Sequence, residues 1–138
     1  MAPVSMPALR PFVRPLPWLG LWLSGIVAVI AVCLGPPPEI AQLPSGSDKV
    51  EHFLAYFLLA WGAVQLFAAR RALLWSTLGL VLLGVAIEIA QGALTSNRSA
   101  DPMDALANAA GVAAGMAMLP TPLRGCLLWL DRKLFGVR

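Results

Sequence analysis

Charge is scarce in this sequence. Only 12% of its 138 residues are Asp, Glu, Lys or Arg, about half the share of an average soluble domain. The hydrophobic share is 59% and the mean hydropathy is +0.76. A soluble domain of this size has too little interior to hide such an excess. Cysteine is nearly absent. The two present, Cys33 and Cys126, exclude a disulfide scaffold and a thiolate metal cage. Histidine and tyrosine occur once each, as His52 and Tyr56. The net charge is +3, but the basic residues are scattered in pairs at the ends of apolar runs. That is membrane-topology usage, and no nucleic-acid partner is expected.

The apolar runs are what the chain does have. Residues 1–16 lead in with Pro3, Pro7, Pro11 and Pro15 and read as an extended tail, because proline resists the helix interior. Pro17 to Leu34 is an uncharged run of spanning length. Its length and the lack of a small-residue cleavage pattern favour a retained helix over a signal peptide. Gly35-Pro36-Pro37-Pro38 ends it. Asp48 to Phe67, behind a cap-like Ser47-Asp48, is the second span, and Leu73 to Leu94 is the third. Asp104 to Leu119 is a short fourth, rich in alanine and glycine. Its Gly111 and Gly115, four apart, allow a second helix to come close. Residues 120–138 place Leu123, Leu127, Leu130 and Leu134 on one face, with Arg124, Asp131 and Arg138 on another. Such a segment is expected to lie on a membrane surface.

The expected fold is therefore all-α: a polytopic four-helix transmembrane bundle over residues 17–119, with a C-terminal amphipathic interfacial helix. Arg10, Arg14, Arg70, Arg71, Arg132 and Lys133 share one side of this layout. The positive-inside rule then puts both termini in the cytoplasm of a plasma (inner) membrane protein. Cys33 and Cys126 fall on opposite sides.

The polar residues sort onto the other side. Asp48, Lys49, His52 and Tyr56 open the second span, Glu88 and Gln91 close the third, and Asp104 and Asn108 open the fourth. Arg98 lies in the intervening loop. The spacings 48/52/56, 88/91 and 104/108/111/115 each keep to one helical face. The expectation is a single polar site open to the outer leaflet. A carboxylate such as Glu88 inside a span costs about 2.5–3.5 kcal/mol on insertion scales, so it needs a partner or a purpose.

Taken in order, Asp48-Lys49-x-x-His52-x-x-x-Tyr56, Glu88-x-x-Gln91, Arg98 and Asp104-x-x-x-Asn108-x-x-Gly111-x-x-x-Gly115 resemble the VanZ-like family over residues 48–119. These are small multi-span membrane proteins whose founding member is linked to resistance to the glycopeptide teicoplanin. The resemblance implies that Asp48, Lys49, His52, Tyr56, Glu88, Gln91, Arg98, Asp104 and Asn108 are the family's polar positions. Asp101 stands where the family is expected to vary and is not counted with them.

Three function classes follow. The first is an enzyme at the outer leaflet acting on a lipid-linked envelope substrate. Glu88, His52 and Asp104 are its catalytic candidates, with Glu88 or His52 as general base. Lys49 and Arg98 would hold an anionic headgroup, with Asp48, Gln91, Asn108 and Tyr56 around it. No metal site is assigned: His52, Glu88 and Asp104 have suitable donors, but their spacing is no recognised ligand motif. The second class is an accessory protein that binds a membrane lipid or lipoglycopeptide without turnover. The third, a small transporter, is weakest, because the other halves of spans two to four are apolar. Each residue has a plainer reading too. Glu88 pairs with Arg98 or Lys49 to lock helix register, Asp104 caps its helix, and Tyr56 belongs to an aromatic belt.

Overall fold

The computed structural model describes residues 7–36, 44–96 and 98–136. Among them are five α-helices and no strand, so the all-α expectation holds. Helix α1 spans Pro15–Leu34, α2 Ser47–Leu66, α3 Arg70–Leu94, α4 Pro102–Met116 and α5 Cys126–Phe135, with a 3₁₀ turn at Pro122–Gly125.

The boundaries follow local chemistry. Pro15 occupies the first turn of α1, where a missing amide costs nothing. The helix therefore begins two residues before Pro17. Gly46 caps α2 at a φ of 90°, a left-handed conformation open to glycine without strain. Ser47 is already the first helical residue, and no side chain caps this end. The sequence had offered Ser47-Asp48 as the cap. Asp101 caps α4, its carboxylate accepting from the Met103 amide at 2.9 Å.

Helix α4 packs against α2 through its small residues. A Cβ on Gly111 would meet the Phe53 carbonyl, and one on Gly115 would lie 2.6 Å from both the Phe57 carbonyl oxygen and the Ala60 Cβ. The two backbones approach as closely as glycine allows. Tyr56, Leu59, Ala60, Leu80 and Val112 form the buried core between α2, α3 and α4. Tyr56 is only 1% exposed, so it is a core residue rather than a member of an aromatic belt: position 56 shares the face of α2 that meets α4.

Residues 7–14 and helix α5 close the opposite pole. Of the proline-rich lead-in, residues 1–6 lie outside the described residues and residues 7–14 are docked. Arg10 N donates to Leu66 O at 2.8 Å, and Ala68 N to Ala8 O at 2.9 Å. Leu9 and Phe12 pack with Leu66, flanked by Trp18, Trp22 and Leu127. Asp131, which the helical period puts on a polar outer face of α5, is wholly buried. Its carboxylate accepts from the backbone amides of Val13 and Arg14 and from the Trp18 indole. A period describes one helix; it does not reveal that another segment covers the face.

Among the described residues, two helices, α1 and α3, are long and apolar enough to cross a membrane. None of the α1 residues is buried. Leu21, Leu23, Val27 and Val32 of α1, with Leu74, Trp75, Leu82 and Ile89 of α3, face outward. An exposed apolar surface of this extent marks a membrane or partner contact, and it points to membrane association. Helix α2 carries Asp48, Lys49 and Glu51 in its opening turns, and α4 has 15 residues. At 1.5 Å per residue, α4 is about 22 Å long, short of a hydrocarbon core of about 30 Å.

Candidate functional site

The N-terminal ends of α2 and α4 meet the C-terminal end of α3, and the polar residues gather there. Lys49 is the hub. Its ammonium lies 2.9 Å from Asp101 Oδ2, 3.1 Å from Asp104 Oδ1 and 3.4 Å from Asp48 Oδ2. Lys49 is thus shared among three carboxylates. Asp48 stands at the exposed rim.

Asp101, left aside in the sequence reading, joins three parts of the site. It caps α4, its carboxylate accepts from Lys49, and its amide donates to Glu88 Oε2 at 3.1 Å. The Lys49 hydrogen bond, and after it the Met103 amide, hold the Asp101 carboxyl below the ordinary carboxylate range. The sequence signal was Asp-Pro ahead of a helical run, a standard helix start. With Asp101 as the cap, Asp104 is freed from that role. It sits inside α4 and turns toward Lys49 and His52.

His52 lies between α2 and α4. Its Nδ1 is 2.9 Å from Asn108 Oδ1, and its Nε2 is 3.7 Å from Asp104 Oδ2. Gly84 of α3 makes room for Asn108, since a Cβ there would come within 3.1 Å of the Asn108 side chain. Glu88 is 5% exposed. Among the described residues it has neither Lys49 nor Arg98 within 4 Å, and its Oε1 has no hydrogen-bond partner. The ion pair of the plainer reading of Glu88 is not formed among the described residues; the Asp101 amide takes its other oxygen. His52, Glu88 and Asp104 each place one donor atom within 4.8 Å of the others. Among the described residues they form a group that could hold a metal ion.

Gln91 is engaged elsewhere. Its amide donates to the Cys33 carbonyl at 2.8 Å, satisfying one of the free carbonyls at the end of α1. This fastens α1 to α3 beside the site.

A cleft of about 300 Å³ opens between α1 and α2. Val29, Val32, Cys33, His52, Tyr56 and Arg98 line it. Its wall is mostly apolar, with the polar groups provided by α2 and the loop after α3. Five buried side-chain polar atoms lack a hydrogen-bond partner among the described residues. Four of them, Tyr56 Oη, Glu88 Oε1, Arg98 Nε and Asn108 Nδ2, belong to this site. Buried polar groups are nearly always satisfied, and four of the five exceptions gather at this end.

Comparison of the chain with family models, with curated proteins and with solved structures finds no match.

Proposed function

We propose that this is a VanZ-like inner-membrane protein whose polar site binds the headgroup of a cell-envelope lipid or amphiphile at the outer leaflet. In this reading α1 to α4 form a four-span bundle, with α5 at the cytoplasmic surface and both termini inside. Helices α2 and α4 are carried through the membrane by their packing on α1 and α3. Their charges lie at one end, at headgroup depth. The basic residues support the orientation. Arg10, Arg14, Arg70, Arg71 and Arg124 belong to the pole away from the polar site. There, burial and the neighbouring Arg124 push Arg10 below its usual value.

The observation that carries the proposal is Arg98. Its Nε is buried and unpartnered among the described residues, and it borders a cleft with apolar walls. A guanidinium in that position matches a phosphate or carboxylate. The strip along Val29 and Val32 matches an acyl chain. Glu88, His52 and Asp104 stand beside the headgroup position as the groups that would carry a reaction. An amphiphilic glycopeptide such as teicoplanin has the same chemistry of an acyl chain on a polar head.

A second reading has its own support. Lys49 holds Asp101 and Asp104 together across α2 and α4, as a helix-register lock would. In that case the protein is a non-catalytic accessory whose polar residues serve packing.

Spin-labelled phosphatidylglycerol and phosphatidylcholine, presented to the purified protein in nanodiscs, separate the two. The binding reading expects a preference for phosphatidylglycerol, lost in Arg98→Gln and kept in Arg98→Lys. Teicoplanin serves as a competing probe. Equal association of both lipids with wild type, and no displacement by teicoplanin, would leave the register lock as the function of the polar residues.

A further inference from the structure

Three helices each send one metal-type donor to the same point: His52 from α2, Glu88 from α3 and Asp104 from α4, with donor atoms within 4.8 Å of one another. The informative feature is what holds the rest of each side chain. Asn108 Oδ1 lies 2.9 Å from His52 Nδ1. An amide oxygen only accepts, so with Asn108 in this orientation Nδ1 carries a proton, and a neutral imidazole then keeps its lone pair on Nε2. Lys49 takes Asp104 Oδ1 at 3.1 Å. The Asp101 amide takes Glu88 Oε2 at 3.1 Å. Each residue is thus oriented through one atom by an outer partner, with the other atom left over. The leftovers are His52 Nε2, Asp104 Oδ2 and Glu88 Oε1, and the last is a buried acceptor with no partner among the described residues.

We propose that His52, Glu88 and Asp104 bind a divalent transition-metal ion of the Zn²⁺ or Mn²⁺ class. Outer partners that fix the tautomer and lock the far carboxylate oxygen are the usual support of such sites. One imidazole and two carboxylates select borderline ions over Ca²⁺ and Mg²⁺, which take oxygen ligands. Zinc bonds of about 2.0–2.1 Å set ligand-to-ligand edges of about 3.3 Å in a tetrahedron. The Nε2–Oδ2 distance of 3.7 Å is close to that edge before any ion draws the ligands in. The charge also fits. Two buried carboxylates meet here, and the cation beside them, Lys49, is already shared with Asp48 and Asp101. Three protein ligands leave a coordination position open, and His52 also lines the cleft.

Protonated His52 paired with Asp104 is the competing arrangement. It leaves Glu88 Oε1 without a role, and it predicts no metal dependence.

The test uses the full chain, purified in detergent, stripped with chelator and dialysed against Zn²⁺, Mn²⁺ or Mg²⁺ without added lipid. Bound metal is measured by mass spectrometry and stability by thermal unfolding. The expected result is about one Zn²⁺ or Mn²⁺ per chain with a raised Tm, and no retained Mg²⁺. Affinity should fall at least tenfold in Glu88→Gln and about 10–100-fold in Asn108→Leu, which removes the partner of His52. Co²⁺ substitution into wild type, read by its visible ligand-field bands, gives an answer independent of whether any variant folds. Wild type that holds no stoichiometric metal and shows no Co²⁺ bands overturns the proposal. So do folded Glu88→Gln and His52→Gln variants that bind as wild type does. The readout contains no lipid, so its failure and that of the headgroup reading are told apart.

Discussion

Trp18 Nε1 donates to Asp131 Oδ1 at 2.8 Å, across 113 residues of sequence. The same carboxylate accepts the amides of Val13 and Arg14. A fully buried acidic side chain thus fastens the lead-in, the start of α1 and the closing helix α5 to one another. A hydrogen bond to a charged group contributes about 1.5–3 kcal/mol, and three share this acceptor.

Asp131→Ala should therefore destabilise the protein by about 3 kcal/mol or more, because three buried donors lose their acceptor. Asp131→Asn keeps one oxygen and should lose less. Thermal unfolding in detergent reads both. A Tm for Asp131→Ala equal to that of wild type would mean that the clasp contributes nothing.

The same substitution should have opposite effects at two glycines. Gly79 of α3 has open space where a Cβ would go, so Gly79→Ala should stabilise by about 0.5–1 kcal/mol through helix propensity. At Gly111 the new methyl would collide with the Phe53 carbonyl. Overpacking there costs about 1–3 kcal/mol or more, since backbone cannot rotate aside. Denaturation midpoints of the two variants should lie on either side of wild type. Finding them on the same side would contradict the close α2–α4 contact.

Gln91→Met should cost about 1–3 kcal/mol by leaving the Cys33 carbonyl without its donor. It should leave metal and lipid binding at wild-type levels. A variant of normal stability with lost phosphatidylglycerol preference would return Gln91 to the binding residues.

Membrane orientation is open to cysteine labelling. In a Cys33→Ala background, exposed Cys126 should react with an impermeant maleimide from the cytoplasmic face alone. In a cysteine-free background, Ser99→Cys should react from the outside alone. Labelling of both positions from one face would rule out the proposed single crossing between them.

Much of the candidate site was legible because helical spacing is local. Positions 48, 52, 104 and 108 fall on faces that an up-and-down layout brings to one end, and Lys49–Asp104 and His52–Asn108 contacts result. Gly111 and Gly115 announced a close helix approach, although not that α2 would be the neighbour. The plainer readings that do not hold share a cause. They made Glu88 half of an ion pair and Asp104 the cap of its helix, and the helical period put Asp131 on an outer face. Each of these assignments depends on what lies opposite, and the opposite group comes from a distant segment.

Sequence alone determined that the chain is helical, where its apolar runs lie and which end collects its charge, because propensity, hydropathy and a 3.6-residue period act within one segment. Only the tertiary structure decided which atom of each polar side chain is spoken for. Asn108 takes His52 Nδ1, Lys49 takes Asp104 Oδ1 and the Asp101 amide takes Glu88 Oε2. Hydrogen bonds are short and directional, so these choices exist only once the helices have packed.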